Sequence, residues 1–219
     1  MSLTKSIVLS RYSENVGWIS DFDEEGIDIY IYNKGNTSPG VKSKNIKVIN
    51  RPNLGRESES FLYHIVENYD NLSDLIVFTQ AWPFDNIPSF FDYIDNDLML
   101  QDAENYFNWY GEQYKTCDEN GAPEIYPIAS GHPNEFNRTL KTIYEEVFEK
   151  ECPKEVAFKS NGSFCITKDL ILNNKKEIYE KLITFLTYEE QVDYDGAFKY
   201  NPYEGHIIER MWGLIFNAV

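Results

Sequence analysis

Residues 57–79, ESESFLYHIVENYDNLSDLIVFT, decide the fold class because two hydrophobic patterns follow one another within them. Up to Tyr69, apolar side chains recur every three or four residues, which is typical of an amphipathic helix. Residues 75–79 are almost continuously apolar, as strands buried on both faces of a parallel sheet are. A helix that leads into a buried strand predicts a crossover connection between parallel strands.

The flanking sequence extends this pattern on both sides. Short apolar or alternating runs predict strands at residues 7–10, 27–32 and 46–49. A further strand is predicted at residues 158–167, with a break at Asn161-Gly162, and helices at residues 139–150, 169–186 (capped by Asp169) and 205–216. We therefore expect a single α/β domain over residues 1–219, a three-layer sandwich with a mostly parallel central sheet.

Composition and charge exclude several classes of protein. The chain has 219 residues and a formal net charge of -16, yet 16% of its residues are aromatic, so it predicts a folded acidic protein. Nucleic acids and anionic membranes select basic surfaces, and we expect neither as a partner. No apolar run reaches the roughly 20 residues of a membrane span, and the first ten residues lack a secretory signal. Three cysteines without CxxC spacing favour a reducing, cytoplasmic location (the host cytoplasm if the protein is viral).

Familiar catalytic motifs are missing from the sequence. It contains no GxGxxG after the first strand, and no GxxxxGK[ST], GxSxG or HExxH. Ligands of open α/β sheets bind beyond the carboxyl ends of the strands. The strand exits are therefore the places where candidate functional residues are expected.

Polar residues follow three of the predicted strands. Arg11 after the first strand could bind a phosphate and Tyr12 could stack on a base, although a surface loop in which Arg11 pairs with Glu14 fits as well. Gly55 and Arg56 precede a helix whose N-terminus could bind an anion or simply begin there.

The fourth exit and the last helix supply further candidates. Gln80 ends an apolar strand, and Asp85 could present a carboxylate to a hard cation or cap a helix. In the last helix, Glu209 could face a cleft beside Arg210, and His206 could be either a metal ligand or a structural residue.

Taken together, these exits resemble a GT-A-type glycosyltransferase-like family long labelled a domain of unknown function. The family is similar to the N-terminal domain of the chlorovirus glycosyltransferase that helps glycosylate the major capsid protein. The resemblance spans nearly the whole chain. It rests on SRYSENVGW (residues 10–18), YNKG (32–35), NLGRE (53–57), YHIVENYDNL (63–72), FTQAWPFD (78–85), GSF (162–164) and ERMW (209–212).

The resemblance implies a GT-A-like fold, a UDP- or dTDP-sugar donor, a glycan or glycoprotein acceptor, and Mn²⁺ or Mg²⁺. It implies that Arg11 and Tyr12 hold the nucleotide, that Asn53 and Arg56 lie near the base or the diphosphate, and that residues 80–85 form the metal corner. Together with the strand-exit residues, the predicted nucleotide site is Ser10, Arg11, Tyr12, Asn33, Lys34, Asn53, Gly55, Arg56 and Gln80, and the predicted metal ligands are Asp85 and His206. Glu209 is predicted either to face the sugar or to organise Arg210, and these two are the predicted catalytic residues. This chain departs from the family pattern at Asn86, where histidine is common, and no D-x-D follows the fourth strand.

Three D-x-D matches occur elsewhere, at residues 21–23, 95–97 and 193–195, and in so acidic a chain chance accounts for roughly one of them. Residues 95–97 are the strongest rival metal site.

The predicted function is metal-assisted transfer of a sugar from a nucleotide diphosphate. A metal-dependent phosphoesterase and a non-catalytic nucleotide- or glycan-binding module with Trp82, Trp109 and Tyr110 as stacking residues are the alternatives. In a protein of charge -16, binding a diphosphate requires cations gathered in one cleft. The candidates are Arg11, Lys34, Arg56 and Arg210.

Overall fold

The computed structural model describes residues 3–23, 26–121, 138–187 and 203–217. Its central sheet contains β1 (Lys5–Arg11), β2 (Ile27–Asn33), β3 (Ile46–Asn50), β4 (Leu75–Gln80), β5 (Phe107–Trp109) and β8 (Phe164–Thr167), and β6 (Lys115–Asp118) pairs with β7 (Glu155–Phe158). The strand order in the central sheet is β3-β2-β1-β4-β8-β5. The first four strands are mutually parallel, whereas β8 is antiparallel to both β4 and β5.

Helices cover both faces of this sheet. They are α1 (Arg56–Glu67), α2 (Phe90–Leu98), α3 (Leu140–Phe148), α4 (Lys168–Leu172), α5 (Lys176–Thr187) and α6 (Tyr203–Ile215), with 3-10 turns at Gly17–Phe22 and Tyr69–Asn71. Because alternate side chains of a strand point to opposite faces, Val8 packs with α1 and α6 while Ile7 and Leu9 pack with α2. The predicted mixed α/β class with a mostly parallel sheet is confirmed.

The break predicted at Asn161-Gly162 is confirmed: Gly162 adopts φ 61°, and the chain passes there from β7 in the small sheet to β8 in the central one. The long helix predicted after β8 is wrong in detail. Residues 169–186 are not one helix capped by Asp169: α4 ends at Leu172, and Asn174 separates it from α5. The Asn174 carbonyl accepts a hydrogen bond from Tyr69 and its side chain donates to Ile215, so this residue is held by tertiary contacts outside either helix.

The rival D-x-D at residues 95–97 is structural. The Asp97 carboxylate is buried within α2 and accepts hydrogen bonds from the Tyr106 hydroxyl at 2.7 Å, the Tyr110 hydroxyl at 2.8 Å and the Asn108 amide. With its lone pairs occupied by protein donors, Asp97 is held as a satisfied core residue. The match at residues 193–195 lies outside the described residues.

Thr139 is the N-cap residue of α3. Its hydroxyl caps α3 by accepting a hydrogen bond from the Thr142 backbone N–H at 3.1 Å, whereas Ser89 at the start of α2 makes no such bond. We expect Thr139→Ala to lower the free energy of unfolding by about 1 kcal/mol, measured by urea denaturation. Ser89→Ala is the matched control, and an equal loss in both variants would contradict the capping role.

None of the helices in the described part of the chain is long and apolar enough to cross a membrane. All three cysteines, Cys117, Cys152 and Cys165, are buried and free of disulfide bonds.

Candidate functional site

The strand order changes direction between β1 and β4, and the candidate site lies at the carboxyl end of this pair. From β1 the chain moves outward to β2 and β3, then returns through α1 to β4 on the other side of β1. Such a switch point leaves a crevice in which ligands of open α/β sheets bind. The last paired residues of the two strands are Ser10 and Gln80, and the Ser10 hydroxyl is 3.1 Å from that of Ser60 on α1.

One turn earlier on α1 is a group of charged side chains that meets α6. Arg56 Nη1 lies 3.0 Å from His206 Nε2, and Arg210 donates a hydrogen bond to the His206 carbonyl. Gly205 packs against the Arg56 side chain, and a Cβ there would lie 3.0 Å from Arg56 Cδ. We call Arg56, Glu57, His206, Glu209 and Arg210 the carboxylate–arginine cluster.

Burial and neighbouring charges shift the pKa values of the two carboxyl groups of the cluster in opposite directions. Burial raises the pKa of Glu209 to about 7; the charge of Glu57 adds to the rise, and Arg56 and Arg210 only partly offset it. Burial acts on Glu57 in the same direction, but Arg56, its own backbone N–H, His206 and Gln80 outweigh it and hold the pKa of Glu57 below its usual range. Pairs of carboxyl groups with separated pKa values are typical of acid–base sites.

His206 is neutral at physiological pH. Burial, with help from the charges of Arg56 and Arg210, lowers the pKa of His206 to about 4. Because arginine only donates hydrogen bonds, Nε2 accepts the bond from Arg56 and the proton of the ring is on Nδ1, which faces Glu209 Oε2 at 3.9 Å. His206 therefore lies between Arg56, to which it is hydrogen-bonded, and Glu209, whose Oε2 is beyond hydrogen-bond distance.

The turn between β7 and β8 closes the site from the opposite side. The Asn161 backbone N–H donates a hydrogen bond to Glu209, and a Cβ on Gly162 would lie 3.2 Å from Glu57 Oε1. Ser163 fastens the turn to β4 through a 3.1 Å hydrogen bond with Thr79. The sequence interpretation did not assign Asn161, Gly162 or Glu57 to the site. Acidic residues are ordinary in the first turn of a helix, so Glu57 gave no distinctive signal.

Arg11 and Asn33 belong to a separate network beyond the ends of β1 and β2. Arg11 donates to the carbonyls of Glu14 and Thr37, to the Thr37 hydroxyl and to the Asn33 side chain at 2.5 Å. Gly35 packs against this loop, where a Cβ would overlap the Tyr12 carbonyl oxygen. Because its N–H groups bind the protein, Arg11 holds the loops after β1 and β2 together in this structure.

Lys34 is also engaged by the protein. Its ammonium donates to the carbonyls of Leu54 and Arg56, each at 2.5 Å, and pairs with Glu59 at 2.8 Å. Burial lowers the pKa of Lys34, an effect that the charge of Glu59 opposes. Lys34 thus fixes the turn that contains half-buried Asn53 and leads into α1. Gly55 lies in the same turn, with φ 61°, where a Cβ would lie 2.8 Å from Leu186 Cβ.

Aromatic side chains form the exposed rim beyond β1 and β4. Tyr12 is 51% exposed and Trp82 is 42% exposed, and the Trp82 indole N–H donates to exposed Asp85 at 3.3 Å. The other proposed stacking residues, Trp109 and Tyr110, are buried in the core. Trp82 and Tyr12 are therefore the aromatic residues placed to meet a ligand.

The residues proposed as metal ligands do not fit a shared cation site. His206 lies between two guanidinium groups, while Asp85 is engaged with Trp82. Across residues 3–23, 26–121, 138–187 and 203–217, no three His, Cys, Asp or Glu side chains group so that they could hold a metal. In the described part of the chain, the positively charged residues of the cluster that could bind an anion are Arg56 and Arg210.

Comparison with known proteins assigns a family without a function. No curated protein matches the chain. Residues 7–219, nearly the whole chain, match the model of a family described as "Protein of unknown function (DUF3431)". The chain therefore belongs to the DUF3431 family.

Proposed function

We propose that the protein is a glycosyltransferase with a GT-A-like fold that uses a nucleotide-diphosphate sugar as donor. The observation that carries the proposal is the carboxylate–arginine cluster at the switch point between β1 and β4. It combines two arginines, which suit a diphosphate, with a buried carboxyl group of pKa about 7, which suits proton transfer. The resemblance of the strand-exit motifs to glycosyltransferase-like proteins supports the same class.

In this proposal the arginines bind the part of the donor that departs. Arg56 and Arg210 both contact His206, so their positive charges act on one place. Fixed positive charges stabilise the negative charge that develops on a leaving diphosphate. The Arg56 side chain is 27% exposed, more than that of neighbouring Glu57 at 9%.

Glu209 accepts the proton of the reaction. The bond between the acceptor oxygen and the anomeric carbon forms, and the bond from that carbon to the phosphate oxygen breaks. The diphosphate leaves with the electron pair, and the hydroxyl proton of the acceptor passes to the Glu209 carboxylate. A base with a pKa near 7 is ionised often enough at neutral pH to accept this proton and basic enough to hold it.

A passive binding module and a phosphoesterase fit the described residues less well. Holding a ligand does not require a carboxyl group whose pKa is raised toward neutrality. Metal-dependent phosphoesterases need a tight group of histidines and carboxylates, and in the part of the chain described here the cluster has only His206 beside two arginines.

The test is a thermal-shift panel of UDP- and dTDP-sugars, with Mn²⁺ or with EDTA, followed by assays of donor hydrolysis and sugar transfer. A nucleotide sugar at 100 times its Kd should raise the free energy of unfolding by about 2.7 kcal/mol. No response to any nucleotide sugar under either condition would overturn the proposal. Turnover in EDTA would show that the arginines suffice for the leaving group, and turnover only with Mn²⁺ would show that a cation joins them.

Arg56→Ala tests the diphosphate site directly. We expect roughly ten- to hundredfold weaker binding of the donor, measured by calorimetry, because a hydrogen bond to a charged partner contributes about 1.5–3 kcal/mol. Far-UV circular dichroism should be unchanged. Lys44→Ala removes the same charge from an exposed residue just before β3 and should bind the donor as the wild type does. Loss of folding in Arg56→Ala would make Arg56 a structural residue instead.

A further inference from the structure

Aromatic side chains form a continuous exposed surface just beyond the end of β4. Trp82 and Phe91 are both exposed, and half-buried Phe84 joins them, with its ring centroid 4.8 Å from that of Trp82 and 5.0 Å from that of Phe91. We call Trp82, Phe84 and Phe91 the aromatic surface. Single exposed apolar side chains are ordinary, whereas a contiguous group of them marks an interaction site.

The orientation of Trp82 is fixed by its neighbours. Its indole N–H donates to Asp85 Oδ1 at 3.3 Å, and its ring packs against Phe84 with an angle of 75° between the two planes. The preceding residue, Ala81, accepts a hydrogen bond from the Trp18 indole at 2.9 Å. Because the ring is already held in place, a ligand that binds it need not bear the entropy cost of ordering it.

The chemistry of Trp82 and Asp85 identifies the ligand group. The indole N–H lies in the plane of its ring, so the Asp85 carboxylate lies at the edge of the ring and not over a face. Among the residues that the structure describes, Asp85 Oδ2 has no hydrogen-bond partner, and it can accept one from a ligand. A pyranose ring presents C–H groups on its faces, which contact an aromatic ring favourably, and hydroxyl groups around its edge, which donate to a carboxylate.

Charge separates the aromatic surface from the part of the site that suits the donor. Asp85 next to Trp82 and Asp92 next to Phe91 are both exposed, so their carboxylates repel a phosphate. The arginines of the carboxylate–arginine cluster attract one. A neutral glycan is not repelled, so the aromatic surface suits the acceptor of the reaction and the cluster suits the donor.

The two parts are close enough to serve one reaction. The Gln80 side chain interacts with Glu57 of the cluster, and Trp82 follows two residues later, which is at most about 7 Å of chain. Given the proposed glycosyltransferase function, on which this inference rests, we infer that Trp82 and Asp85 bind the acceptor. The Trp82 ring stacks on a pyranose of a neutral glycan, and Asp85 accepts a hydrogen bond from one of its hydroxyl groups.

The test is saturation-transfer NMR with the methyl glycosides of glucose, galactose, mannose, xylose and fucose. We expect at least one glycoside to bind the wild type, with most saturation passing to the C–H protons of one face of its ring. Trp82→Ala should weaken that binding about tenfold or more, because the stacking contact is lost. Asp85→Asn should weaken it roughly three- to tenfold, because a hydrogen bond to a neutral oxygen is weaker than one to a carboxylate.

Tyr114→Ala and Asp102→Asn are the matched controls. Both residues are exposed and neither belongs to the aromatic surface, so both variants should bind the glycoside as the wild type does. Binding of UDP- and dTDP-sugars, measured by calorimetry, distinguishes the acceptor from the donor. Trp82→Ala should bind the donor about as tightly as the wild type, while its KM for the glycoside in transfer assays rises.

Three results would overturn this inference while the transferase proposal stood. They are a panel in which no glycoside binds the wild type, a Trp82→Ala protein that binds the glycoside normally, and a Trp82→Ala protein that loses the donor and the glycoside equally, as stacking on the base of the donor would require. Glycoside binding without binding of any nucleotide sugar would overturn the transferase proposal, and the acceptor role with it.

Discussion

Glu209→Gln is expected to abolish most of the sugar transfer while making the folded protein more stable above neutral pH. Removing a general base costs about 10²–10⁴-fold in rate. In the wild type, kcat/KM should rise with pH as Glu209 ionises through a pKa of about 7. In the variant, the residual rate should not follow this ionisation.

The gain in stability follows from the raised pKa of Glu209. The carboxyl group binds its proton more tightly in the folded state than in the unfolded chain, where its pKa has the ordinary value of 4.5. Its contribution to stability is therefore complete below about pH 4.5 and is lost as the pH rises through 7, a change of about 3 kcal/mol. Glutamine has the shape of the protonated acid and does not ionise, so the variant should keep this contribution at pH 8.

Urea denaturation at pH 5 and pH 8, with transfer assays on the same samples, measures both effects. Glu146→Gln makes the same chemical change on the exposed side of α3 and is expected to alter neither stability nor activity. A Glu209→Gln protein that retained full activity would remove Glu209 from the chemistry. One less stable than the wild type at pH 8 would show that the ionised carboxylate stabilises the fold.

Glu59→Gln is expected to cause the largest loss of stability, about 3–5 kcal/mol at neutral pH. Glu59 is almost fully buried in α1 and pairs with Lys34 at 2.8 Å and with Arg51 at 2.5 Å. Removing its charge leaves the buried Lys34 ammonium without its carboxylate, and the protein must then bear the desolvation of that cation or deprotonate it.

The pH dependence separates this mechanism from simple misfolding. Without Glu59, burial lowers the pKa of Lys34 further, so the unfolded chain binds more protons than the folded one at neutral pH. The stability deficit should therefore shrink as the pH is raised from 7 to 9. Asp28→Asn removes a carboxylate from a half-exposed pair with Lys47 at 3.0 Å and should cost no more than about 1 kcal/mol. Equal losses in the two variants, by urea denaturation, would contradict the role of burial.

The Glu59 network also bears on the site. Lys34 donates to the carbonyls of Leu54 and Arg56, the turn from which Arg56 and Glu57 enter the cluster. The resemblance implied that Lys34 binds the nucleotide. In the structure, the contacts of Lys34 hold the segment that presents Arg56. Lys34 therefore positions the proposed site and does not bind the ligand itself.

Strands β1 to β4 and most helices were predictable because each is encoded by neighbouring residues, whereas the short strands β5 and β6 were not predicted. The period of apolar side chains located β4 and α1 to within a residue or two. The same reasoning merged α4 with α5, because what interrupts the helix at Asn174 is a pair of hydrogen bonds to Tyr69 and Ile215, far away in the chain. Local patterns carry no information on such contacts.

Sequence alone determined the α/β class, the run of parallel strands and a shortage of positive charge that restricts anion binding to a few cations. Tertiary structure decided which of those cations converge. Arg56 and His206 are 150 residues apart, and they meet where α6 packs on α1, with Gly205 against the Arg56 side chain. Arg11 and Lys34 also lie at strand exits, but the protein already engages both. Arg11 donates hydrogen bonds to Asn33 and to a loop carbonyl, and Lys34 pairs with Glu59. A strand exit places a side chain near the crevice, but only packing determines whether its donors face a ligand or the protein.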